Sequence, residues 1–182
     1  MYYVWKGDFD YSAPDNFNKP EVWDEYSLTL GQEIPKDLPS IQFFFEKDGP
    51  NSDVVPNIWI YLLFNGRLVE FLKNHYDSHL FQEFPVEIII TSQEKKVENY
   101  YLMNILNTRD VIDFEKSDLD IDDGDIIGIN HLEIIDEDFN NCDFFRLKGF
   151  SSLLICSQSF VDNFAENDFA GMRFIPLPEY KL

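Results

Sequence analysis

Residues 62–72 read LLFNGRLVEFL, and residues 153–164 read LLICSQSFVDNF. Each stretch begins with an apolar run of strand length, passes through a polar residue that can cap a helix, and continues with apolar residues at helical spacing. Each is followed by an apolar–Pro–apolar triplet, FPV at 84–86 and IPL at 175–177, so that the offset is 92 residues at the helix and 91 at the proline. The echo predicts two related strand–helix–strand units, which arose either by an old duplication or by repeated use of one supersecondary motif.

Two short helices follow from these stretches. The first is predicted to begin after Asn65, whose side chain can accept a hydrogen bond from the first turn, and to end near His75, where a partly cationic imidazole suits the helix dipole. In the second stretch, Ser159 and Asp162 have the spacing of a capping box, with Asp in place of the usual Glu. The second helix is therefore predicted to be capped by Ser159.

The other apolar runs predict strands, and strands that are apolar on both faces are predicted to lie inside a sheet. The predicted strands are Ser27–Leu30, Ile41–Glu46, Ile58–Leu63, Val86–Thr91, Tyr100–Leu106, Ile126–Ile129, Leu132–Ile135, Phe144–Leu147, Leu153–Cys156 and Met172–Ile175, with a charged turn at Gln93–Glu98. The predicted class is α+β, with a predominantly antiparallel or mixed sheet and a few short helices. Residues 1–182 are expected to form one domain, with a proline- and aromatic-rich part at 1–57 and a main α+β part at 58–182.

The composition restricts the classes of partner. The chain carries 34 acidic and 14 basic residues, a formal net charge of −20. Such a field repels nucleic acid and anionic membranes and accelerates encounter with a basic protein. The amino terminus lacks the pattern of a signal peptide, no apolar run is long enough to span a bilayer, and Cys142 and Cys156 lack metal-site spacing. We expect a soluble, cytoplasmic protein with two ordinary thiols, and the sequence gives no oligomeric state.

The stretch at residues 118–125, DLDIDDGD, holds five aspartates and one glycine. An EF-hand loop needs oxygen ligands at positions 1, 3 and 5, glycine at 6 and glutamate at 12. Counted from Asp118, glycine arrives one position late and Ile129 takes the place of the glutamate; counted from Asp120, His131 takes it. An EF-hand is therefore disfavoured, which leaves a weak surface cation site, a solvated acidic loop between strands, or a protein-binding surface.

The surrounding charge favours the protein-binding surface. Residues 110–143 contain 13 acidic residues and a single basic one, Lys116, which is a net charge of −12. A surface that serves only solubility normally intersperses both signs, and concentrated like charge is destabilising in the folded state. The concentration suggests that a basic partner relieves the repulsion.

Other chemistry is weakly indicated. His75 and His79 stand four residues apart, but the run HYDSH lacks the glutamate of a zinc protease motif, and no third ligand is evident. The chain contains no sequence motif of a nucleophilic hydrolase or of a nucleotide-binding loop. We therefore predict no catalytic residue, no metal and no cofactor. Carboxylates are so plentiful that a pair of them has no diagnostic value, although a glycosidase needs only two. A carboxylate-dependent hydrolase or metal-assisted enzyme is the alternative function, and a purely structural protein is the third.

Residues 99–118, NYYLMNILNTRDVIDFEKSD, resemble the midsection of the immunity protein 11 group of bacterial polymorphic toxin systems. That group reads Tyr-Tyr-Leu-x-Asn and then x-Asp-x-(Ile/Leu)-Asp-x-Glu-x-Ser. The matching residues are Tyr100, Tyr101, Leu102, Asn104, Asn107, Asp110, Ile112, Asp113, Glu115 and Ser117. The resemblance extends upstream to YSLTLG at 26–31 and FPV at 84–86, and downstream to FRL at 145–147 and the closing segment at 156–176, so that it covers roughly residues 26–177.

The resemblance implies a small cytoplasmic protein that is encoded beside a secreted toxin and neutralises that toxin. Such toxins are often the carboxy-terminal domains of Rhs or type VI secretion effectors, and many are nucleases. A nuclease has a basic groove for phosphates, which an acidic inhibitor can occupy. The acidic stretch itself is not part of the resemblance. From the charge we predict a toxin-binding surface that consists of Asp118, Asp120, Asp122, Asp123, Asp125, Glu133, Asp136, Glu137 and Asp138. Phe139, Phe144 and Tyr101 are candidate aromatic anchors.

Overall fold

A computed structural model describes residues 1–59, 61–135 and 143–182, except for the side chains of Glu25 and Tyr26. The strands in these residues are β1 (Tyr2–Gly7), β2 (Asn16–Asn18), β3 (Gln42–Phe45), β4 (Val54–Val55), β5 (Leu62–Asn65), β6 (Phe81–Pro85), β7 (Glu87–Ile90), β8 (Lys95–Val97), β9 (Tyr100–Ile105), β10 (Thr108–Arg109), β11 (Asp118–Asp122), β12 (Asp125–His131), β13 (Phe144–Leu147), β14 (Phe150–Ser157) and β15 (Met172–Pro176). The α-helices are α1 (Glu25–Leu30), α2 (Gly66–His75) and α3 (Gln158–Glu166), and single 3-10 turns lie at Ser78–Leu80, Thr91–Gln93 and Leu177–Glu179. The predicted α+β class is confirmed.

The chain divides into two compact units. The first unit comprises residues 1–6, 107–168 and 173–182, and the second comprises residues 7–106 and 169–172. The interpretation of residues 1–182 as a single immunity-type domain stays a prediction.

The second unit contains two four-stranded sheets, in the orders β2–β3–β7–β8 and β4–β5–β9–β6. Strands β3 and β7 are parallel, and the other neighbours are antiparallel. Strands β7 and β9 lie inside their sheets, as their near-continuous apolar sequences predict. The core is rich in aromatic and β-branched side chains, among them Trp23, Ile41, Phe43, Phe45, Leu63, Phe84, Ile88 and Leu102.

The first unit contains a five-stranded sheet in the order β10–β13–β14–β1–β15, together with a two-stranded hairpin of β11 and β12. Side chains alternate between the two faces of a strand. On β13, Phe145 belongs to the core shared with the hairpin, whereas Phe144 makes edge-to-face contacts with Trp5 and Phe160 on the other face. Both faces of the sheet are therefore covered, which explains why FFRL at 144–147 reads as a continuous buried run.

The two strand–helix echoes occupy corresponding places, one in each unit. The last residue of β5, Asn65, caps α2 by accepting the amide of Leu68 at 3.0 Å, as predicted. The last residue of β14, Ser157, caps α3 by accepting the amide of Phe160 at 3.1 Å. The prediction that Ser159 caps the second helix is therefore wrong, because the strand continues to Ser157 and turns directly into the helix.

The predicted strand at Ser27–Leu30 is also wrong, since these residues complete helix α1. The alternation of SLTL imitates a strand, but Gly31 adopts a positive φ of 66° and the amide of Gln32 donates back to the carbonyl of Ser27 at 3.0 Å. This is the geometry of a helix that ends at a left-handed glycine. Local turn chemistry overrides the two-residue alternation.

Three further boundaries differ from the predictions. The run that begins at Ile58 becomes strand only at Leu62, because the Asn57 side chain bonds both the amide and the carbonyl of Tyr61 and closes a turn. The charged turn at Gln93–Glu98 includes β8, which pairs with β7. The strand predicted at Leu132–Ile135 is reduced to one bridge, between Ile134 and Ile112.

Candidate functional site: an acidic hairpin

The aspartate-rich stretch forms a β-hairpin, and not the loop that was one interpretation of its sequence. Strands β11 and β12 are antiparallel and are joined by a turn of two residues, Asp123 and Gly124. Their φ angles are 48° and 91°, and a two-residue turn with positive φ at both positions is a type I′ turn, which favours Asp-Gly. The turn places Asp122 directly opposite Asp125.

One face of β11 is acidic and the other apolar. By alternation, Asp118, Asp120 and Asp122 share one face, and all three are exposed. Leu119 lies on the opposite face, where it is paired with Ile129, a fully buried member of the core of the first unit. The hairpin is therefore anchored by its apolar face and presents a row of carboxylates to solvent.

A β-bulge interrupts the regular pairing of the second strand, β12, with β11. The register advances from Ile121 opposite Ile126 to Asp120 opposite Gly128, which leaves Ile127 as an extra residue. A Cβ atom at position 128 would lie 2.7 Å from an Asp120 carboxylate oxygen, so glycine allows that carboxylate to lie across β12. Bulges bend a strand and redirect side chains, and Ile127 is 63 % exposed here.

The carboxylates of the hairpin are not neutralised locally. Residues 110–143 form the acidic segment, and Lys116 is its one basic residue. The ammonium of Lys116 lies 2.8 Å from Asp113, and this contact lowers the pKa of Asp113 and raises that of Lys116. Lys148 lies 2.7 Å from Asp110. Within the described residues no cation lies within ion-pair distance of the five aspartates of 118–125. Like charges that face each other across two strands are destabilising, as at the turn of this hairpin.

The base of the hairpin is fixed by residues 113–117, which directly precede β11. The Asp113 carboxylate accepts the amides of Glu115 and Lys116, each at 3.2 Å, which folds residues 113–117 into a tight turn. The hydroxyl of Ser117 accepts the amide of Glu133 at 3.0 Å and donates to the Glu133 carbonyl at 3.1 Å. The Ser117 hydroxyl thus makes two hydrogen bonds, of the kind that a backbone residue makes in a strand pair, between the start of β11 and the chain that follows β12.

We expect Ser117→Ala to lower the free energy of unfolding by about 1 kcal/mol, because the amide of Glu133 loses its hydrogen-bond partner in a half-buried place, whereas the Glu133 carbonyl still accepts the amide of Asp113 at 2.9 Å. The measurement is a denaturant titration followed by tryptophan fluorescence. Ser159→Ala, at an exposed position on α3, is the matched control and is expected to change stability by less than about 0.5 kcal/mol. An equal effect of both substitutions would contradict the role given to Ser117.

The other predicted site residues lie apart from the tip. Glu133 follows β12 at the base of the hairpin, is partly exposed, and places a carboxylate oxygen 3.3 Å from His131 Nε2. Asp136, Glu137, Asp138 and Phe139 lie outside the described residues. Of the other proposed anchors, Phe144 is buried in the core, and Tyr101 belongs to β9 of the second unit.

The sequence reasoning overlooked the two isoleucines of the hairpin as surface residues. Ile121 is 52 % exposed and Ile127 is 63 % exposed, and both lie within three residues of the turn. Part of the signal was present in DLDIDDGDII, since Asp-Gly between alternating residues predicts a hairpin with a two-residue turn. Ile127 was instead placed in the predicted strand Ile126–Ile129, and the stretch that contains Ile121 was considered only for its aspartates.

Three described carboxyl groups, those of Asp53, Glu87 and Asp113, have a shifted pKa, and in each the pKa is lowered, which is the opposite of what a general acid requires. Among the described His, Cys, Asp and Glu side chains, no group of three is placed to hold a metal ion. His75 ends α2 and stacks on Phe71, with Nδ1 2.8 Å from the Phe71 carbonyl oxygen. No helix in the described part of the chain has the length and apolar character needed to cross a membrane.

Comparison with known proteins agrees with the resemblance found in residues 99–118. No curated protein matches the chain. The model of the immunity protein family (Imm11) matches residues 13–178 of the 182. The matched region includes the whole hairpin and both strand–helix echoes. The chain therefore belongs to the immunity protein family (Imm11).

Proposed function

We propose that this member of the immunity protein family binds a cognate secreted toxin and neutralises it without catalysis, by occluding the active site or substrate groove with its acidic surface. Membership of the family, over residues 13–178, is the observation that carries the proposal. The acidic hairpin supplies the surface. The surface comprises Asp118, Asp120, Asp122, Asp123 and Asp125 of the hairpin, with Glu133 at its base and Asp136, Glu137 and Asp138 next along the chain.

The charge arrangement supports a role in binding over one in solubility. The five aspartates of the hairpin are concentrated on a short segment, and Asp122 faces Asp125 across the turn. The folded state gains nothing from that repulsion, whereas a basic partner converts it into attraction. Because the carboxylates point away from a face that is held in the core, the partner meets them in a fixed arrangement.

The sign of the charge indicates the kind of toxin. An enzyme that cleaves nucleic acid must attract phosphates, and it does so with lysines and arginines along a groove. A row of carboxylates at strand spacing carries the same negative charge as the phosphates of nucleic acid, so it can bind the lysines and arginines of such a groove. We therefore propose a basic toxin domain of the nuclease type as the partner, with the protein acting in the cytoplasm.

The proposal predicts rescue of growth. The toxin domain encoded by the neighbouring gene is expressed from an inducible promoter, with and without this chain on a second plasmid, and colony-forming units are counted. Toxin alone is expected to stop growth, and co-expression is expected to restore it. The purified toxin domain is also incubated with DNA and RNA, with and without a stoichiometric amount of this protein.

The two measurements separate the claims. Growth arrest that persists in the presence of abundant, folded protein would refute the immunity function for that toxin. Rescue of growth from a toxin that cleaves neither DNA nor RNA would leave the immunity function in place and contradict the nuclease assignment. Ser159→Ala, which changes neither the charge nor the hairpin, should rescue as well as the unaltered chain.

A further inference from the structure

The tip of the hairpin exposes one isoleucine on each strand. Ile121 is paired with Ile126 and lies on the same face as Leu119, which packs into the core of the first unit. Ile126 belongs to that core and is 8 % exposed, so this face of the tip is partly covered by the protein itself. Ile127 is the extra residue of the bulge. Ile121 is nevertheless 52 % exposed and Ile127 is 63 % exposed, so both reach water beside the aspartates of the turn.

The exposed apolar residues of the first unit are concentrated near this hairpin. Single exposed apolar residues scattered over a surface are ordinary. Among the described residues of the first unit, however, the large exposed apolar side chains other than Met1 all belong to the acidic segment or to the chain end that pairs with it. They are Phe114, Ile121, Ile127, Ile135 and Leu182, and the backbone of Leu182 bonds Ile129 in both directions.

We propose that residues 121–127 form the centre of the contact with the cognate toxin, with Ile121 and Ile127 packed against apolar side chains of the toxin and the carboxylates of Asp122, Asp123 and Asp125 against its lysines or arginines. The inference rests on the proposed function and identifies the residues that hold the complex together. A basic partner complements these carboxylates, which have no cation within ion-pair distance in the described residues. Burial of the two isoleucines supplies the apolar contact that charge alone does not.

The two kinds of side chain have separable effects on the kinetics of binding. Charges on the rim of an interface act mainly on the association rate and on its dependence on salt. Apolar side chains that become buried at the centre of an interface act mainly on the dissociation rate. We therefore expect the isoleucines to control how long the complex lasts and the aspartates to control how fast it forms.

The test measures association and dissociation rates with the purified toxin domain encoded by the neighbouring gene. The variants are Ile121→Thr, Ile127→Thr and the double variant, since threonine is β-branched and suits a strand while it removes apolar surface. Each single variant is expected to raise the dissociation rate about 10-fold, and the double variant about 100-fold, with little change in association rate. Ile58→Thr is the matched control, because Ile58 is 76 % exposed but belongs to the second unit.

Thermal unfolding of every variant checks that the fold is kept. Ile121→Val and Ile127→Val give a second pair that remains apolar and is expected to raise the dissociation rate only about 3-fold. A double threonine variant that dissociates no faster than Ile58→Thr would overturn this contact and leave the proposed function standing. An effect of only one isoleucine would contradict the burial of both side chains by the toxin. Failure of the unaltered protein to bind this toxin would remove both the inference and the proposed function.

Discussion

Replacing Arg67 by alanine is expected to lower the free energy of unfolding by about 2–3 kcal/mol at neutral pH. The Arg67 guanidinium donates to both carboxylate oxygens of Asp53, at 3.0 and 2.9 Å, and lies 4.4 Å from the ring centroid of Phe169. Asp53 is only 7 % exposed, so removal of its cationic partner leaves a carboxylate buried with just the Asn65 amide group and the Ala170 backbone amide. The effect falls below that of a fully buried pair because the Arg67 side chain is 53 % exposed.

Acidification should reduce the difference between Arg67→Ala and the unaltered protein. Burial by itself raises the pKa of Asp53, but the hydrogen bonds from Arg67, the Ala170 amide and Asn65 outweigh burial and hold the pKa below its ordinary value. A carboxyl group with a lowered pKa stabilises the folded state above the pKa of the unfolded chain, about 3.9, and this stabilisation is lost as the pH falls through the folded pKa. Without Arg67 the lowering is weaker, so less stability remains to be lost in acid.

Urea titrations at pH 7 and at about pH 3 measure both effects. Lys73→Ala is the matched control, since Lys73 lies on the same helix and forms an ion pair with Glu83 at 2.6 Å, but on an exposed surface. Its removal is expected to change the free energy of unfolding by less than about 1 kcal/mol. Equal losses for Arg67→Ala and Lys73→Ala would show that the buried carboxylate has no special dependence on its partner.

The sequence predicted the elements whose signal is local and periodic. The runs at 86–91, 100–106 and 144–147 are apolar on both faces, and each contains a strand that lies inside a sheet. Asn65 was recognised as a helix cap because the cap and its helix are adjacent in the chain. Ser27–Leu30 was assigned to the wrong class, because four residues of alternation cannot be distinguished from a short helix without weighing the glycine at 31.

The candidate site could be predicted in its composition but not in its shape. The charge of residues 118–125 was visible in the sequence, and the Asp-Gly pair at 123–124 also predicts a two-residue turn. The bulge at Ile127 depends on the register in which β12 pairs with β11 and on the space above Gly128. Neither can be recognised from the sequence of a single strand. The network around Asp53 was out of reach for a similar reason, since the amide of Ala170 comes from 117 residues further along the chain.

Replacing the five aspartates of 118–125 with asparagine is expected to slow association with the toxin about 10- to 100-fold at low salt and to flatten the dependence of the association rate on salt. The carboxylates attract the partner over several ångströms, and asparagine keeps the size of the side chain while it removes the charge. Stopped-flow association rates at several ionic strengths provide the measurement. Growth rescue should weaken in parallel.

A control with the same total charge distinguishes the hairpin from the net charge of the protein. Amide substitutions at five exposed carboxylates of the second unit reach the same net charge and are expected to leave most of the association rate unchanged. They are Glu21→Gln, Glu33→Gln, Asp37→Asn, Glu70→Gln and Glu98→Gln. Similar slowing in both sets would show that the overall charge steers the encounter and that the hairpin has no particular part.

The free energy of unfolding of the variant with five asparagines at 118–125 provides an independent test. Because Asp122 faces Asp125 and neither has a cation beside it in the described residues, asparagine at both positions relieves a cross-strand repulsion and should stabilise the fold by about 0.2–1 kcal/mol. A surface that served folding or solubility alone would lose little in binding from that change. Slower association together with higher stability is the pattern of a site whose repulsion is retained for its partner. Lower stability of the substituted hairpin would instead assign the aspartates a structural role and contradict the binding surface.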